Sequence, residues 1–165
     1  MSDQTFKQKA SLIRLLVLDV DGTLTDGGVY IDANGVQSKK FNIKDGMGIT
    51  QLREKGLHVG IISHSRSKSI LDERARMLGL ELLYSGKEPK LQVMQRWLKE
   101  LSLSLEQVAF IGDDINDLDV IHKVGFSACP HDAHYTVVKE VDVVLQRNGG
   151  EGCVREFIDR FLLSV

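Results

Sequence analysis

The sequence predicts an α/β protein built on a doubly wound parallel sheet, and two patterns support this prediction. Short runs of valine, isoleucine and leucine alternate along the chain with longer segments of helical period. The apolar runs are continuous rather than alternately apolar and polar, as expected for parallel strands covered by helices on both faces. Such a sheet binds its ligands at the carboxyl ends of its strands. The predicted strands are residues 15–20, 59–63, 82–84, 108–112, 125–128 and 141–145.

The segments between these strands carry the apolar stripe of amphipathic helices. In residues 89–101, for example, Leu91, Met94, Leu98 and Leu101 recur at spacings of three and four residues. The segment after the first strand is different, because residues 28–31 and 36–41 flank Asn34-Gly35. Asn-Gly is a strong signal for a tight turn, so we expect a β-hairpin that forms a flap over residues 26–43.

Length and composition limit the classes of protein to which this chain can belong. It has 165 residues, of which 42% are hydrophobic and 27% charged, so we expect one domain over residues 1–165, with residues 1–13 as a polar N-terminal extension. The net charge of −2 argues against a nucleic-acid partner, and no apolar run approaches the roughly 20 residues that span a membrane. Because a signal-peptide core is lacking, we expect a cytoplasmic protein with reduced cysteines.

Two acidic clusters follow predicted strands. Asp19 and Asp21 come at the end of the first predicted strand. Residues 112–117 (Gly-Asp-Asp-Ile-Asn-Asp) come at the end of the fourth predicted strand. Parallel strands end on the same edge of a sheet, so both clusters are expected to converge. Like charges about 4 Å apart repel by about 4 kcal/mol at an effective dielectric constant near 20. The clusters therefore indicate a bound cation, a bound proton or both, and oxygen ligands favour Mg²⁺.

Turn chemistry offers a simpler interpretation of each cluster taken alone. Asp and Gly are common after strands, and Asp114 could serve only to cap the following helix. His131-Asp132-Ala133-His134 also resembles a metal motif, but it lacks further ligands of a zinc pattern. We interpret this last segment as a loop that enters a helix, with Asp132 as the cap.

Together, Asp19-Val20-Asp21-Gly22-Thr23 and the cluster at residues 112–117 resemble the motifs of the haloacid dehalogenase superfamily of phosphohydrolases. The resemblance covers the chain from Leu15 onward and implies a Rossmann-like fold. A narrower resemblance is to the branch without a cap domain that acts on 3-deoxy-D-manno-octulosonate 8-phosphate. The stretches that carry it are residues 24–28, 41–48 and 149–156.

The resemblance implies a role for each motif residue. Asp19 would be the nucleophile that forms an aspartyl-phosphate, and Asp21 would be the general acid and base. Mg²⁺ would be held by the Asp19 carboxylate, the Asp21 main-chain carbonyl and Asp113. Asp114 and Asp117 would orient other groups, namely the phosphate-binding lysine and metal-bound water, although either could touch the metal itself.

Two further positions would bind the phosphoryl oxygens. Ser63 ends the second strand and matches the family's Ser/Thr motif, although a serine there could instead cap the next helix. Lys90 stands at a helix start, where a cation opposes the helix dipole, and this misfit favours an anionic ligand. Lys87 is its rival for that role.

One loop departs from the family pattern. The family usually has Ser/Thr-Gly-Arg after the second strand, whereas this chain has Ser63-His64-Ser65-Arg66. A histidine thus replaces the glycine, and one extra residue precedes the arginine. Arg66 is still a candidate for contact with an anionic substrate.

The resulting hypothesis is a Mg²⁺-dependent phosphatase of a small phosphorylated acidic sugar, with 3-deoxy-D-manno-octulosonate 8-phosphate as the expected substrate in lipopolysaccharide synthesis. A nine-carbon nonulosonate 9-phosphate is the alternative substrate. Two other classes remain open, a receiver-type signalling domain and a non-catalytic assembly module. Asp21 argues against a receiver domain, because a general base next to the aspartyl-phosphate would hydrolyse it.

The chain has no room for the cap of tens of residues that shields the site in many members of the superfamily. Shielding from bulk water strengthens the electrostatic interactions on which phosphoryl transfer depends. We therefore expect a homo-oligomer in which a neighbouring chain completes each site, and the family resemblance implies a tetramer. Phe41, Met47 and residues 149–165 are the candidate contacts.

Overall fold

The computed structural model describes residues 3–65 and 67–164. The strands are β1 (Leu15–Leu18), β2 (Tyr30–Ile31), β3 (Gln37–Ser38), β4 (His58–Ser63), β5 (Leu82–Ser85), β6 (Val108–Ile111), β7 (Phe126–Cys129) and β8 (Val143–Val144). The helices are α1 (Asp3–Leu12), α2 (Ile43–Glu54), α3 (Lys68–Leu78), α4 (Lys90–Leu101), α5 (Leu118–Ile121), α6 (Tyr135–Glu140) and α7 (Cys153–Phe157). A π-helical turn, Ile158–Leu162, continues α7.

Six strands form one parallel sheet in the order β5-β4-β1-β6-β7-β8. This confirms the predicted fold class, and each of the six predicted runs overlaps one of these strands. β1 lies between β4 and β6, so the chain winds to one side of β1 first and to the other side later. Ligands bind at such a switch point, beyond the carboxyl ends of the strands.

Helices cover both faces of the sheet, which explains why the strand sequences are continuously apolar. Alternate side chains of β1 enter two different cores: Leu16 and Leu18 pack with side chains from α2, α3 and α7, whereas Leu15 and Val17 pack with side chains from α4, α5 and α6. Both faces of β1 are thus removed from water, and a polar residue on either face would lack a partner.

The predicted hairpin is present as β2 and β3, which pair Tyr30 with Ser38 and Ile31 with Gln37. The Asp32 carboxylate accepts hydrogen bonds from two backbone N–H groups of the turn, at 2.9 and 2.8 Å. The strands are shorter than predicted, since a two-stranded ribbon with both faces exposed gains little from further pairing. A bridge between Thr25 and Phe41 returns the hairpin to the edge of the sheet where β1 ends.

The start of the chain, predicted to be a polar extension, contains α1. Phe6 on this helix packs against Phe126 at a ring-centre distance of 6.0 Å and against Phe161 at 5.7 Å. Phe126 also lies 5.1 Å from Phe157. The four rings join α1 to β7 and to the C-terminal helix. Within the described residues, no helix combines the length and the apolar character needed to cross a membrane.

The loop before α6 differs from its prediction in one respect. His134, rather than Asp132, caps the helix, because its Nδ1 atom accepts a hydrogen bond from the N–H of Thr136 at 3.3 Å. Asp132 as the cap was therefore wrong. Its carboxylate instead accepts a bond from the N–H of Gly149 at 2.9 Å, a long-range contact that local sequence cannot reveal.

The aromatic cluster predicts a large cost for truncating Phe126, which is completely buried. Phe126→Ala should lower the free energy of unfolding by about 3–5 kcal/mol, because a cavity replaces the ring. Urea denaturation measures this change, and Met77→Ala, at a side chain that is 64% exposed, should change it by less than about 0.5 kcal/mol. Equal effects of the two variants would contradict the packing described here.

Candidate active site

Four elements bring the polar motif residues together at the carboxyl edge of the sheet. Asp19 directly follows β1, Ser63 ends β4, Asp113 follows β6, and Lys90 begins α4. The Lys90 Nζ atom lies 2.7 Å from Asp19 Oδ1 and 2.6 Å from Asp117 Oδ1. Asp19, Lys90 and Asp117 are all buried, so the ammonium group is enclosed between two carboxylates.

Asp117 organises this cluster. Its Oδ1 atom accepts a hydrogen bond from Lys90, and its Oδ2 atom accepts from the backbone N–H groups of Asp113 at 3.0 Å and Asp114 at 3.3 Å. The side chain is completely buried. Asp117 thus contacts both the lysine and the loop after β6.

The turn after β1, Val20–Leu24, contributes a second side chain that contacts Asp113, in addition to Asp117. The Thr23 hydroxyl donates to Asp113 Oδ1 at 3.0 Å. Gly22 has φ +87°, and a Cβ atom there would lie 2.0 Å from Asp113 Oδ2. Only glycine can occupy this position without displacing the Asp113 carboxylate.

The loop at residues 149–153 packs against this turn. The Gly150 N–H donates to the Thr23 carbonyl at 3.0 Å, and the Cys153 thiol donates to the same oxygen at 3.3 Å. A Cβ atom on Gly149 would lie 1.9 Å from the Gly22 carbonyl oxygen. The glycine pair at residues 149–150 is therefore required by backbone contact with the turn.

The carboxylates at this edge are crowded enough to require a positive partner. Single oxygens of Asp19, Asp113 and Asp117 all lie within 4.8 Å of one another. Burial, together with repulsion from Asp19 and Asp117, raises the pKa of Asp113 to about 8. Burial also raises the pKa of Asp19 to about 6, against the attraction of Lys90.

Lys90 neutralises only part of this charge. Burial by itself would lower the pKa of Lys90, but Asp19 and Asp117 together raise it above its ordinary value. The lysine therefore stays protonated, and one cation faces three carboxyl groups. Since hard oxygen donors at this spacing suit Mg²⁺, the residues fit the predicted metal, with Asp19 and Asp113 as the side chains that would hold it.

Asp21 lies at the open side of the cluster, where its side chain is 39% exposed. Its carboxylate forms an ion pair with the ammonium group of Lys39, and Lys39 also donates to Ser65 Oγ at 2.8 Å. The Lys39 side chain is only 2% exposed. Sequence reasoning missed Lys39; the only signal is the Lys39-Lys40 pair where the hairpin ends, and alternation points one of two such residues inward.

Ser63 and its neighbours border the same region. Ser63 is buried, and its hydroxyl oxygen accepts a hydrogen bond from the Ser65 N–H at 3.0 Å. It does not cap α3, because that helix begins at Lys68 after Ser67. Ser63 also lines the cleft at this edge of the sheet. Lys87, the rival of Lys90, is exposed.

Some of these side chains line a cleft of about 210 Å³. Asp114 lies on its border and accepts a hydrogen bond from the Ile115 N–H at 2.7 Å, which is the capping role that turn chemistry allows. Arg66, the substrate-loop candidate, lies outside the described residues. The cleft is lined by Asp19, Asp21, Ser63, His64, Ser65, Asp114 and Asn116.

Volume alone would not have located this site. A larger cleft of about 600 Å³ lies beside α7 and is lined in part by Lys44, Arg147, Arg155 and Arg160. Two of its arginines are paired within their own helical segment, Arg155 with Asp159 and Arg160 with Glu156. We place the candidate site at the smaller cleft, because acidic, basic and hydroxyl groups meet there at a topological switch point.

The site combines an Asp-x-Asp turn after the central strand of a doubly wound sheet with a buried lysine and a second acidic loop. This combination defines a class of hydrolases. A family model described as haloacid dehalogenase-like hydrolase matches residues 42–125. The chain belongs to this family.

Similar proteins have a more specific description. The 3-deoxy-D-manno-octulosonate 8-phosphate phosphatase KdsC of Escherichia coli (strain K12) is 41% identical over 156 residues, which are 94% of this chain and 82% of the relative. The crystal structure of the phosphatase of that name from Yersinia pestis is 40% identical with a TM-score of 0.94, and the match covers 99% of this chain and 88% of that one.

A third protein carries ligands. The 3-deoxy-D-manno-octulosonate 8-phosphate phosphatase from Moraxella catarrhalis, solved with a magnesium ion, a phosphate ion and KDO, is 32% identical with a TM-score of 0.94. The match covers 99% of this chain and 93% of that one.

The raised pKa values of Asp19 and Asp113 predict how Mg²⁺ stabilises the protein at different pH. Both groups bind protons more tightly in the folded than in the unfolded state, so stability of the metal-free protein is lost as pH rises through about 6 to 8. Mg²⁺ competes with these protons. At about 100 times its Kd it should stabilise the protein by about 2.7 kcal/mol, which raises the melting temperature by about 5–10 °C.

Differential scanning fluorimetry at fixed Mg²⁺ concentration checks this prediction. The increase in melting temperature should be larger at pH 8.5 than at pH 5.5, and Asp113→Asn should remove most of it. A Mg²⁺ effect that is equal at both pH values, or larger at pH 5.5, would contradict the assignment of the carboxylate cluster.

Proposed function

We propose that this protein is a Mg²⁺-dependent phosphomonoesterase that hydrolyses 3-deoxy-D-manno-octulosonate 8-phosphate to the free sugar acid and phosphate, in lipopolysaccharide synthesis. The observation that carries the proposal is the position of Asp19, with one oxygen held by Lys90, at the floor of a cleft that Asp21 also lines. Family membership sets the receiver-type interpretation aside. The assembled set of catalytic groups argues against a non-catalytic module.

In the first step, the Asp19 carboxylate attacks phosphorus. A bond forms between a carboxylate oxygen and phosphorus, and the bond from phosphorus to the sugar oxygen breaks. Asp21 gives its proton to that leaving oxygen, so the sugar departs as a neutral alcohol. The products of this step are an aspartyl-phosphate on Asp19 and an ionised Asp21.

In the second step, Asp21 takes a proton from a water molecule as that water attacks phosphorus. The bond between Asp19 and phosphorus breaks, and phosphate leaves. Asp21 is again protonated and Asp19 again ionised, so one turnover consumes one water. Lys39, which pairs with the Asp21 carboxylate, would hold that group at the cleft while it is ionised, between the two steps.

Other groups of the chain stabilise the charge on the phosphoryl oxygens. Lys90 spends two of its three N–H donors on Asp19 and Asp117, which leaves the third for a phosphoryl oxygen. The Ser63 hydroxyl supplies a neutral donor. Bound Mg²⁺ would offset part of the negative charge of Asp19, Asp113 and the phosphate, which would lower the barrier to attack of one anion on another.

Sequence and structural similarity to phosphatases of the eight-carbon ulosonate supports the substrate. The competing substrate, a nonulosonate 9-phosphate, needs the same catalytic groups and differs only in what the loops around the cleft accept. The ratio of kcat/KM for the eight- and nine-carbon substrates decides between them. We expect a ratio above one; a ratio below one would assign the chain to the nonulosonate.

Asp19→Asn tests the chemistry. The amide is nearly isosteric but is not a nucleophile, so phosphate release should fall at least about 10³-fold while the thermal transition is retained. Asp72→Asn is the matched control, because Asp72 is an exposed carboxylate paired with Lys68 on α3. Residual activity of Asp19→Asn above about 1% would remove Asp19 as the nucleophile.

Lys39→Met tests the contribution of the hairpin to the site. Loss of the ammonium group frees the Asp21 carboxylate, and misplacing a catalytic group by about 1 Å can cost about 100-fold, so kcat/KM should fall about 10- to 100-fold. Lys40→Met is the control, since Lys40 is half-exposed and pairs with Asp26, and it should stay within about twofold of wild type. Equal losses in both variants would show a general effect of hairpin charge.

We further propose that four chains assemble and that the hairpin is the contact. The hairpin exposes Val29, Tyr30, Ile31 and Val36, the last three at 60–65%. Met47 on α2 is 52% exposed, and Phe41 is partly buried beneath Arg74. The apolar side chains of residues 149–164 are largely buried within the same chain, so this segment offers less contact area than expected.

Size-exclusion chromatography with light scattering tests this assembly. Wild type should have about four times the 18.4 kDa mass of one chain, and Tyr30→Glu/Ile31→Glu should dissociate and lose activity. Leu12→Glu, at another exposed apolar residue, is the control that should do neither. A fully active monomer would overturn the proposal.

We place the enzyme in the cytoplasm, in keeping with the free thiols of Cys129 and Cys153.

A further inference from the structure

His64 is a side chain at the cleft that the catalytic steps do not use. It lines the cleft next to Ser63 and Ser65. Its Nε2 atom lies 2.9 Å from the Glu88 carbonyl oxygen, and its Nδ1 atom lies 3.5 Å from the Asn116 side-chain nitrogen. A carbonyl can only accept, so the imidazole carries its proton on Nε2 and offers Nδ1 to the amide of Asn116.

The imidazole thus joins three loops into one wall of the cleft. Glu88, its main partner, is itself held: its N–H donates to the Tyr84 hydroxyl at 3.0 Å, and its carboxylate pairs with Arg96 at 2.6 Å. The His64 ring is exposed, and swinging it aside would cost the hydrogen bond to Glu88 and the longer contact with Asn116. In the position that these contacts favour, His64 limits the width of the cleft as well as lining it.

The cleft is small for a ligand site. Its volume of about 210 Å³ lies below the roughly 300–1,000 Å³ of pockets that enclose whole small molecules. It has room for a phosphoryl group and the first atoms of the alcohol, while the remainder of a sugar must lie outside. Only the groups bonded to the carbon that carries the phosphate would then lie inside the cleft, whose lining includes the His64 ring.

We propose that His64 is a specificity-determining residue that restricts the enzyme to phosphate esters of primary alcohols. The ring occupies the space that a second carbon substituent beside the ester oxygen would need. The 8-phosphate of an eight-carbon ulosonate is such a primary ester, so this inference rests on the proposed function and refines it.

Glycerol 1-phosphate and glycerol 2-phosphate are suitable probes, because these isomers differ only in whether the ester carbon is primary or secondary. Wild type should prefer the 1-phosphate in kcat/KM, measured as Mg²⁺-dependent phosphate release. His64→Gly should reduce this preference at least about tenfold, because a carbon-sized misfit in a binding pocket changes kcat/KM by about 10- to 200-fold. The reduction should come from faster hydrolysis of the 2-phosphate.

His64→Phe separates ring volume from hydrogen bonding, because phenylalanine keeps the ring and loses both bonds. It should keep the wild-type preference, and so should His58→Gly, at the exposed start of β4. If His64→Gly gains no activity on the 2-phosphate, or if Phe relaxes the preference as Gly does, the proposal is overturned. Failure of the proposed function is a separate result, namely no release of phosphate from the ulosonate 8-phosphate by wild type.

Discussion

The site depends on one buried ammonium group. Lys90 lies between Asp19 and Asp117, with its side chain 1% exposed. A charge buried without a partner would be strongly destabilising, whereas a cation within hydrogen-bond reach of two carboxylates is compensated. Because the three residues come from the end of β1, from α4 and from the loop after β6, the attraction of both carboxylates to the lysine sets the positions of the proposed nucleophile, the proposed phosphate-binding donor and the second acidic loop at once.

The remaining geometry follows from this ion cluster. Asp117, held by Lys90, binds the backbone of Asp113, and Asp113 in turn receives the Thr23 hydroxyl from the turn after β1. The loop at residues 149–153 then supports Thr23 through its carbonyl oxygen. A continuous set of hydrogen bonds thus joins the residues at the floor of the site. The site is open at the side where Asp21 lies, and there the hairpin supplies Lys39.

Much of this arrangement could be predicted from local patterns. Continuous apolar runs locate parallel strands because both faces of such strands are covered. Acidic residues directly after those runs must lie at one edge of the sheet, which brings Asp19 and Asp113 together without any further information. Lys90 was identifiable because a cation at a helix start is unfavourable unless an anion compensates it.

What the sequence by itself determined is thus the fold class, the edge of the sheet that holds the site, and the residue types that meet there, since these follow from continuous apolar runs, from the helical period of 3.6 residues and from strand ends. Only the tertiary structure decided that Lys39 pairs with Asp21, that Gly149 lies against Gly22 and that His64 joins Glu88 to Asn116. Each of these contacts joins segments far apart in the chain. Their geometry depends on how the loops pack, which no local pattern records.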